Sequence, residues 1–326
     1  MKSAFTKITL LITILLVLAG CSSAITPVPP PPSTVPPTSQ ATIQPSTPIK
    51  TPPTSPVVTQ TPTSGDLQVH FIDVGQGDSI LILAPGGKTM LIDGGEADSG
   101  ALQYLMGKGI NHLDLVVATH PHADHIGGLV KILKTIPVAK VVTNGQPTTT
   151  KTYENFLDAI ASAKAQYVEV KRGDSLRLGD LAFAVLNPVS PKGEDLNDKS
   201  LVLRLVYNKV SFLFTGDAET KAEEAMSVSS FSPVEATILK VGHHGSRSSS
   251  TPAFLDLVKP EVAVYSAGKG NSYGHPHAET IAALLAVGAQ IYGTDVNGTV
   301  VVTTDGVTYQ VSPVTGQPRG PPKVLP

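Results

Sequence analysis

From about residue 67 onward, short apolar runs bounded by Gly, Pro, Asp and Asn alternate with segments whose apolar residues recur every three or four positions. The first kind reads as strands and the second as amphipathic helices. The pattern predicts strands at 69–73, 80–83, 89–92, 115–118 and 138–142, with helices near 100–108, 126–133 and 153–163. It then repeats, with strands at 182–186, 201–207, 211–214, 236–239, 261–266, 290–292 and 298–302 and helices near 219–226, 252–258 and 278–286. Ala84-Pro85-Gly86-Gly87-Lys88 and Tyr207-Asn208-Lys209-Val210 carry hairpin signals. Two strand-rich halves that each supply helices predict an α/β domain of two packed sheets with helices outside, a four-layer αββα sandwich. In that architecture loops from both sheets meet at one edge.

The first 65 residues follow other rules. Lys2 and Lys7 precede an apolar run at 8–18, too short to span a bilayer comfortably, so residues 1–21 read as an export signal. It ends Leu18-Ala19-Gly20-Cys21, which resembles the bacterial lipobox and makes Cys21, the only cysteine, the expected lipid anchor. Residues 22–65 hold thirteen prolines among Thr and Ser, so they cannot bury a core and read as an extended, semi-rigid stalk. The expected organisation is then a catalytic domain at 66–312 and a flexible tail at 313–326. The domain is expected on the outer face of the cytoplasmic membrane, lipid-anchored or secreted, with no obligate protein partner. One cysteine allows no disulfide within the chain, so the domain must be held by its core.

The chemistry concentrates in Thr119-His120-Pro121-His122-Ala123-Asp124-His125-Ile126-Gly127-Gly128, directly after an apolar run. The chain has nine histidines, and three of them fall in six residues here. Imidazole and carboxylate are ligand types that Zn, Mn and Fe share, and so tight a cluster suits an open catalytic site better than a closed structural one. On an extended backbone His120 and His122 project to the same side. Gly127 and Gly128 allow another backbone to approach the start of the following helix.

This motif, His-x-His-x-Asp-His between a strand and a helix, resembles the signature of the metallo-β-lactamase-fold hydrolases. Four further stretches, at 69–79, 90–95, 213–217 and 241–246, resemble in order the extracellular hydrolase domain of the ComEC/Rec2 competence proteins and their stand-alone relatives. The resemblance spans about residues 67–311. It implies two divalent transition metals, Zn or Mn, and a water held between them made nucleophilic at neutral pH. His120 and His122 would serve metal one, Asp124 and His125 would face metal two, and Asp217 would bridge, with Asp124 also counted among the catalytic residues. Asp217 could instead cap the helix predicted after it. The last ligand to metal two is expected at His243, although spacing alone does not separate it from His244, whose imidazole would then lie near the substrate. A further histidine common in such enzymes is absent, since none lies between His125 and His243. Asn197 and Ser200 are the nearest candidates for a weak metal-one ligand, a shift toward oxygen that favours Mn modestly.

Other polar positions fill out the site. Asp93, before Gly94-Gly95, is expected to accept the far N–H of a ligating histidine, and Asp78 has a similar place in its loop, with a plain turn role the alternative for each. Lys240, Ser246, Arg247 and Asn271 are candidate phosphate binders. His275 is the candidate general acid and His277 the start of a helix. His70 and His112 read as structural. The formal net charge of −2 and the absence of a long Lys/Arg run argue against wrapping many phosphates, so DNA contact would be confined to a few. The expected function is a surface-tethered phosphodiesterase or nuclease on DNA or another phosphodiester. Acyl-bond hydrolysis, on a lactone or β-lactam, and non-catalytic metal binding are the alternatives.

Overall fold

The apolar runs pair into two mixed sheets in a computed structural model that describes residues 65–315 except positions 191, 194, 231 and 232. The export signal, Cys21, the stalk before residue 65 and the tail beyond 315 lie outside the described residues. In sheet order the first has β15 (Tyr309–Pro313), β14 (Val300–Thr304), β1 (Leu67–Phe71), β2 (Ile80–Leu83), β3 (Thr89–Ile92), β4 (Leu115–Val117), β5 (Lys140–Thr143) and β6 (Gln166–Glu169). The second has β13 (Gln290–Gly293), β12 (Val262–Tyr265), β11 (Ile238–Lys240), β10 (Val210–Phe214), β9 (Val202–Tyr207), β8 (Leu181–Asn187) and β7 (Ser175–Leu178).

Three apolar clusters separate four layers. Phe71, Ile80, Ile92 and Val117 of the first sheet meet Phe183, Leu203, Phe212 and Val264 of the second in the central core. Helices α1 (Ala101–Gly107), α2 (Ala123–Thr135) and α3 (Lys151–Ala163) pack on the outer face of the first sheet. Helices α4 (Thr220–Ser227), α5 (Pro252–Val258) and α6 (Ala278–Ala286) cover the second, and α7 (Thr294–Asn297) is a single turn. The αββα sandwich expected from the pattern is the observed fold.

The sheets do not divide at the chain's midpoint. β14 pairs antiparallel with β1, so the end of the chain completes the first sheet. The pattern also passes over three strands. β6 is largely exposed and β15 alternates only between partial and full exposure, both lying at sheet edges where no buried face imposes a period. β7 does alternate, but over only four residues. β15 runs to Pro313, and Val314 and Thr315 bond back to the Thr299 and Asn297 carbonyls, so the ordered fold extends slightly past the expected limit at 312.

β3 through β6 run parallel, as do β10 through β13. Parallel strands direct their carboxyl ends the same way, and the crevice beyond those ends is where open α/β sheets gather functional loops. The loops after β3, β4, β10, β11 and β12 carry Asp93, His120 to His125, Asp217, His243 with His244, and Asn271 to His275.

Candidate metal centre

β4 ends at the motif, and α2 begins inside it with His122 as its N-cap residue and Asp124 in its first turn. The turn is pinned from beneath by Asp93, whose carboxylate accepts the Thr119 N–H at 2.8 Å and the Thr119 hydroxyl at 2.7 Å. The Gly94 N–H donates to the His125 carbonyl at 2.7 Å and the Gly128 N–H to the Gly95 carbonyl at 2.9 Å. A Cβ on Gly94 or Gly128 would overlap the facing backbone, so glycine is required at this contact.

Asp124, His125, Asp217 and His244 each present a donor atom within 4.8 Å of the others. His125 Nε2 and His244 Nε2 each lie 3.2 Å from Asp217 Oδ2, and His244 Nε2 lies 3.2 Å from Asp124 Oδ2. Behind them, His125 Nδ1 meets Asp93 Oδ2 at 2.8 Å, and His244 Nδ1 lies 3.0 Å from the Ser266 carbonyl and 3.4 Å from Asp78 Oδ1. These contacts put both Nδ1 protons on the far side and turn each Nε2 lone pair inward. His120 Nε2 and His122 Nδ1 approach to 2.9 Å, and His120 Nε2 is 3.8 Å from Asp217 Oδ2.

The donor set fits cations. His125 Nε2, His244 Nε2 and Asp217 Oδ1 are buried and have no hydrogen-bond partner. Burial pushes Asp217 up, but His125 and His244 outweigh it and hold the carboxyl well below its usual range. Burial opposes a charge on His125 and His244, yet the carboxylates around them hold both well above the usual imidazole range. The same negative field attracts a divalent cation, whose binding displaces those protons. His120 goes the other way, since burial and then the neighbouring His125 push it well below its usual value.

The structure redistributes several expected residues. His244 joins the four-donor group, whereas His243, the expected ligand, is half-buried with Nε2 3.8 Å from Asp217 Oδ2 and Nδ1 2.6 Å from Glu219 Oε1. Both residues have positive φ, 43° and 56°, and their rings stand at 65° to each other with His244 the nearer to Asp217. Asp217 is not a helix cap, because α4 begins at Thr220 with Glu219 as its N-cap residue. Lys240 is fully buried, paired with Asp78 Oδ2 at 2.7 Å and donating to the Val241 carbonyl, so it braces the centre from below and does not reach a substrate. Asp78 is thereby lowered by Lys240 in spite of burial.

Ser246 is buried against Ser248, and Arg247 turns outward to Glu279. Asn271 is spent on its own loop: its carbonyl oxygen accepts from the Tyr273 and His275 N–H groups, and its amide donates to the Gly268 and His275 carbonyls. Ser200 is buried behind His120 Nδ1 at 3.2 Å, with its oxygen also accepting the Asp217 N–H, which makes it a support for His120. Asn197 does border the cavity, 3.5 Å from His243 Nε2. His277 is the N-cap residue of α6, and its Nδ1 accepts the Arg247 N–H. His70 is buried against the Tyr104 hydroxyl, while His112 stands in the turn before β4, 3.6 Å from Asp114.

A cavity of about 280 Å³ opens over the donors, lined by His122, Asp124, Asn197, Asp217, His243, His244 and His275 together with Gln76 and Tyr273. A larger cleft of about 450 Å³ lies by the β2–β3 hairpin and shares none of these residues. Glu219, Gln76 and Tyr273 are not among the expected site residues, although Gln76 lies within the 69–79 stretch and Tyr273 between Asn271 and His275. Glu219 could have been suspected only from its place two residues after Asp217. Burial and three imidazoles, His244 first, push His275 down to about 4.

A sequence profile described as the Metallo-beta-lactamase superfamily matches residues 72–269. ComE operon protein 3 of Bacillus subtilis is 35% identical over 257 residues, covering 73% of this chain and 33% of that protein. Competence protein ComA of Neisseria gonorrhoeae is 33% identical over 229 residues, 69% of this chain and 30% of that one. The chain spans about a third of the length of these relatives. Among solved structures, the metallo-beta-lactamase fold protein YhfI from Bacillus subtilis aligns over 73% of this chain and 100% of its own, with TM-score 0.51 and 12% identity, a likeness of fold. Because the matched profile crosses both sheets, from the end of β1 to the loop after β12, the chain belongs to the metallo-β-lactamase superfamily of hydrolases.

Proposed function

We propose that this hydrolase is a metal-dependent phosphodiesterase acting on nucleic acid strands or a related phosphodiester outside the cytoplasmic membrane. The observation that carries it is one cavity lined by His244 and Asp217, whose Nε2 and Oδ1 are unpartnered like the adjoining His125 Nε2, with the imidazoles of His122, His243 and His275 around them. His120, His122 and Asp217 would hold one divalent cation, Zn or Mn, and Asp124, His125, Asp217 and His244 the other. Such a pair, when bound, makes water nucleophilic at neutral pH and draws charge from a phosphoryl oxygen. Imidazoles and the Gln76 and Asn197 amides offer hydrogen bonds to an oxygen-rich anion. The competence relatives favour DNA as that anion's source.

The chain's own groups divide the remaining work. Glu219 fixes the proton on His243 Nδ1 and leaves Nε2 toward the cavity, where it can hold or deliver a proton at the leaving oxygen. His275, pushed to about 4, is neutral near pH 7 and suits a hydrogen bond to a phosphoryl oxygen better than the stored acid expected of it. His243→Ala should keep its metal yet lose about 10²–10⁴-fold on a thymidine dinucleotide and far less on bis-p-nitrophenyl phosphate, whose leaving group needs no proton. His275→Ala should slow both esters alike. A parent that cleaves neither diester but opens a lactone would transfer the site to acyl chemistry. Export through the signal and anchoring at Cys21 belong to the same proposal; a Cys21→Ser protein that fractionates with membranes as the parent does would remove that part.

A further inference from the structure

The loop after β12 presents Tyr273 at the mouth of the cavity, the residue 64% exposed. A single exposed aromatic residue is ordinary on a protein surface, but this one is held in place. Asn271 ties the loop across itself with four hydrogen bonds, one of them accepting the Tyr273 N–H at 3.1 Å. The Tyr273 ring lies within 20° of parallel to that of His275, centroids 5.6 Å apart. The His275 ring in turn lies 6.2 Å from that of His244, tilted by 30°. Three rings thus step outward from the donor cluster to solvent, and the outer face of Tyr273 meets no other ring among the described residues.

We propose that Tyr273 is a specificity residue, a stacking platform for the nucleobase next to the scissile phosphate. This rests on the phosphodiesterase reading. A phosphate drawn to the floor of the cavity carries its sugar and base toward the rim, and a fixed, exposed ring there receives a flat π-face whatever the base. The formal net charge is −2 and the sequence holds no long Lys/Arg run to grip a strand by charge. Stacking gives it a way to prefer nucleotidyl diesters over aliphatic ones at little electrostatic cost.

The test compares two diesters with the same leaving group, thymidine 5′-(p-nitrophenyl phosphate) and methyl p-nitrophenyl phosphate, on Mn²⁺-loaded protein. Tyr273→Ala should lose about 10-fold in kcat/KM on the thymidine ester, mostly through KM, and under about 2-fold on the methyl ester, while Tyr273→Phe should behave as the parent. Equal losses on the two esters, or none on the thymidine ester, would overturn the proposal. Binding is read separately from the fluorescence of a 2-aminopurine dinucleotide in EDTA, which should be quenched by the parent and by Tyr273→Phe but not by Tyr273→Ala. Quenching that depends on Tyr273 without turnover of either diester would keep the platform and end the phosphodiesterase reading. Turnover with quenching indifferent to Tyr273 would do the reverse.

Discussion

The two sides of the donor cluster are built differently. On one, Asp124, His125, Asp217 and His244 converge, and the histidines are braced by charge: Asp93 holds His125, while Asp78, itself neutralised by buried Lys240, stands behind His244. On the other, His120 and His122 face each other with only hydroxyls behind His120, those of Ser200 and Thr119, each 3.2 Å from Nδ1. Among the described residues the His122 imidazole has no hydrogen-bonding partner besides His120. A carboxylate behind an imidazole raises its basicity and fixes its tautomer, and a hydroxyl does so more weakly. The contrast teaches that the missing third imidazole is one part of a broader asymmetry, with the four-donor side prepared for tight binding and the His120–His122 side for a looser one.

The largest effect is expected of Asp217→Ala, since Asp217 Oδ2 is a carboxylate oxygen near imidazoles of both sides. Metal analysis should show loss of at least one equivalent, and hydrolysis should fall on the order of 10³-fold, the equivalent of several kcal/mol of transition-state charge stabilisation. Full metal occupancy in this variant would mean that the carboxylate is not shared. A finer contrast comes from the braces. Asp93→Asn should weaken the tighter cation by about 10–100-fold, whereas Ser200→Ala should act mainly on the weaker one and by less. Competition with a metal-sensing dye measures both, and equal effects on one cation would erase the distinction between the sides.

The smallest expected effect lies at the far end of the His243–His244 loop. Buried Glu223 accepts the N–H groups of Ser250 and Thr251 and anchors that loop, as Asp93 anchors the turn before His120 through the Thr119 N–H. Burial raises its carboxyl from the ordinary 4.5 to about 7, in spite of those N–H groups. The folded state therefore binds its proton more tightly than the unfolded state does. The stabilisation is complete below about 4.5 and is lost as pH rises to about 7, amounting to at most about 3 kcal/mol. In Glu223→Gln this slope should vanish, so the difference in Tm from the parent should change between pH 5 and pH 8. A constant difference would show that Glu223 is ionised throughout.

Much of the site was legible in the chain because its ligands are local. His120, His122, Asp124 and His125 sit on one strand-to-helix junction, and Asp93 follows an apolar strand before two glycines, so residue type and spacing carry the chemistry. The strands buried on both faces were legible for the same reason. Edge strands β6 and β15 were not, because a strand without a buried face shows no apolar alternation.

What the sequence by itself determined is the layered α/β architecture, the histidine–aspartate junction and the bracing carboxylate, each encoded within a few consecutive residues. Tertiary structure decided which member of an adjacent pair sits nearer Asp217, on two left-handed backbone positions at His243 and His244. It also decided that Lys240 is a buried counter-charge to Asp78, that Asn271 serves its own loop, that Glu219 backs His243 and that Tyr273 lines the cavity. The Lys240–Asp78 and His243–Glu219 pairs join residues far apart in the chain, which no local pattern of residue types records, whereas the Asn271 bonds stay within its own loop.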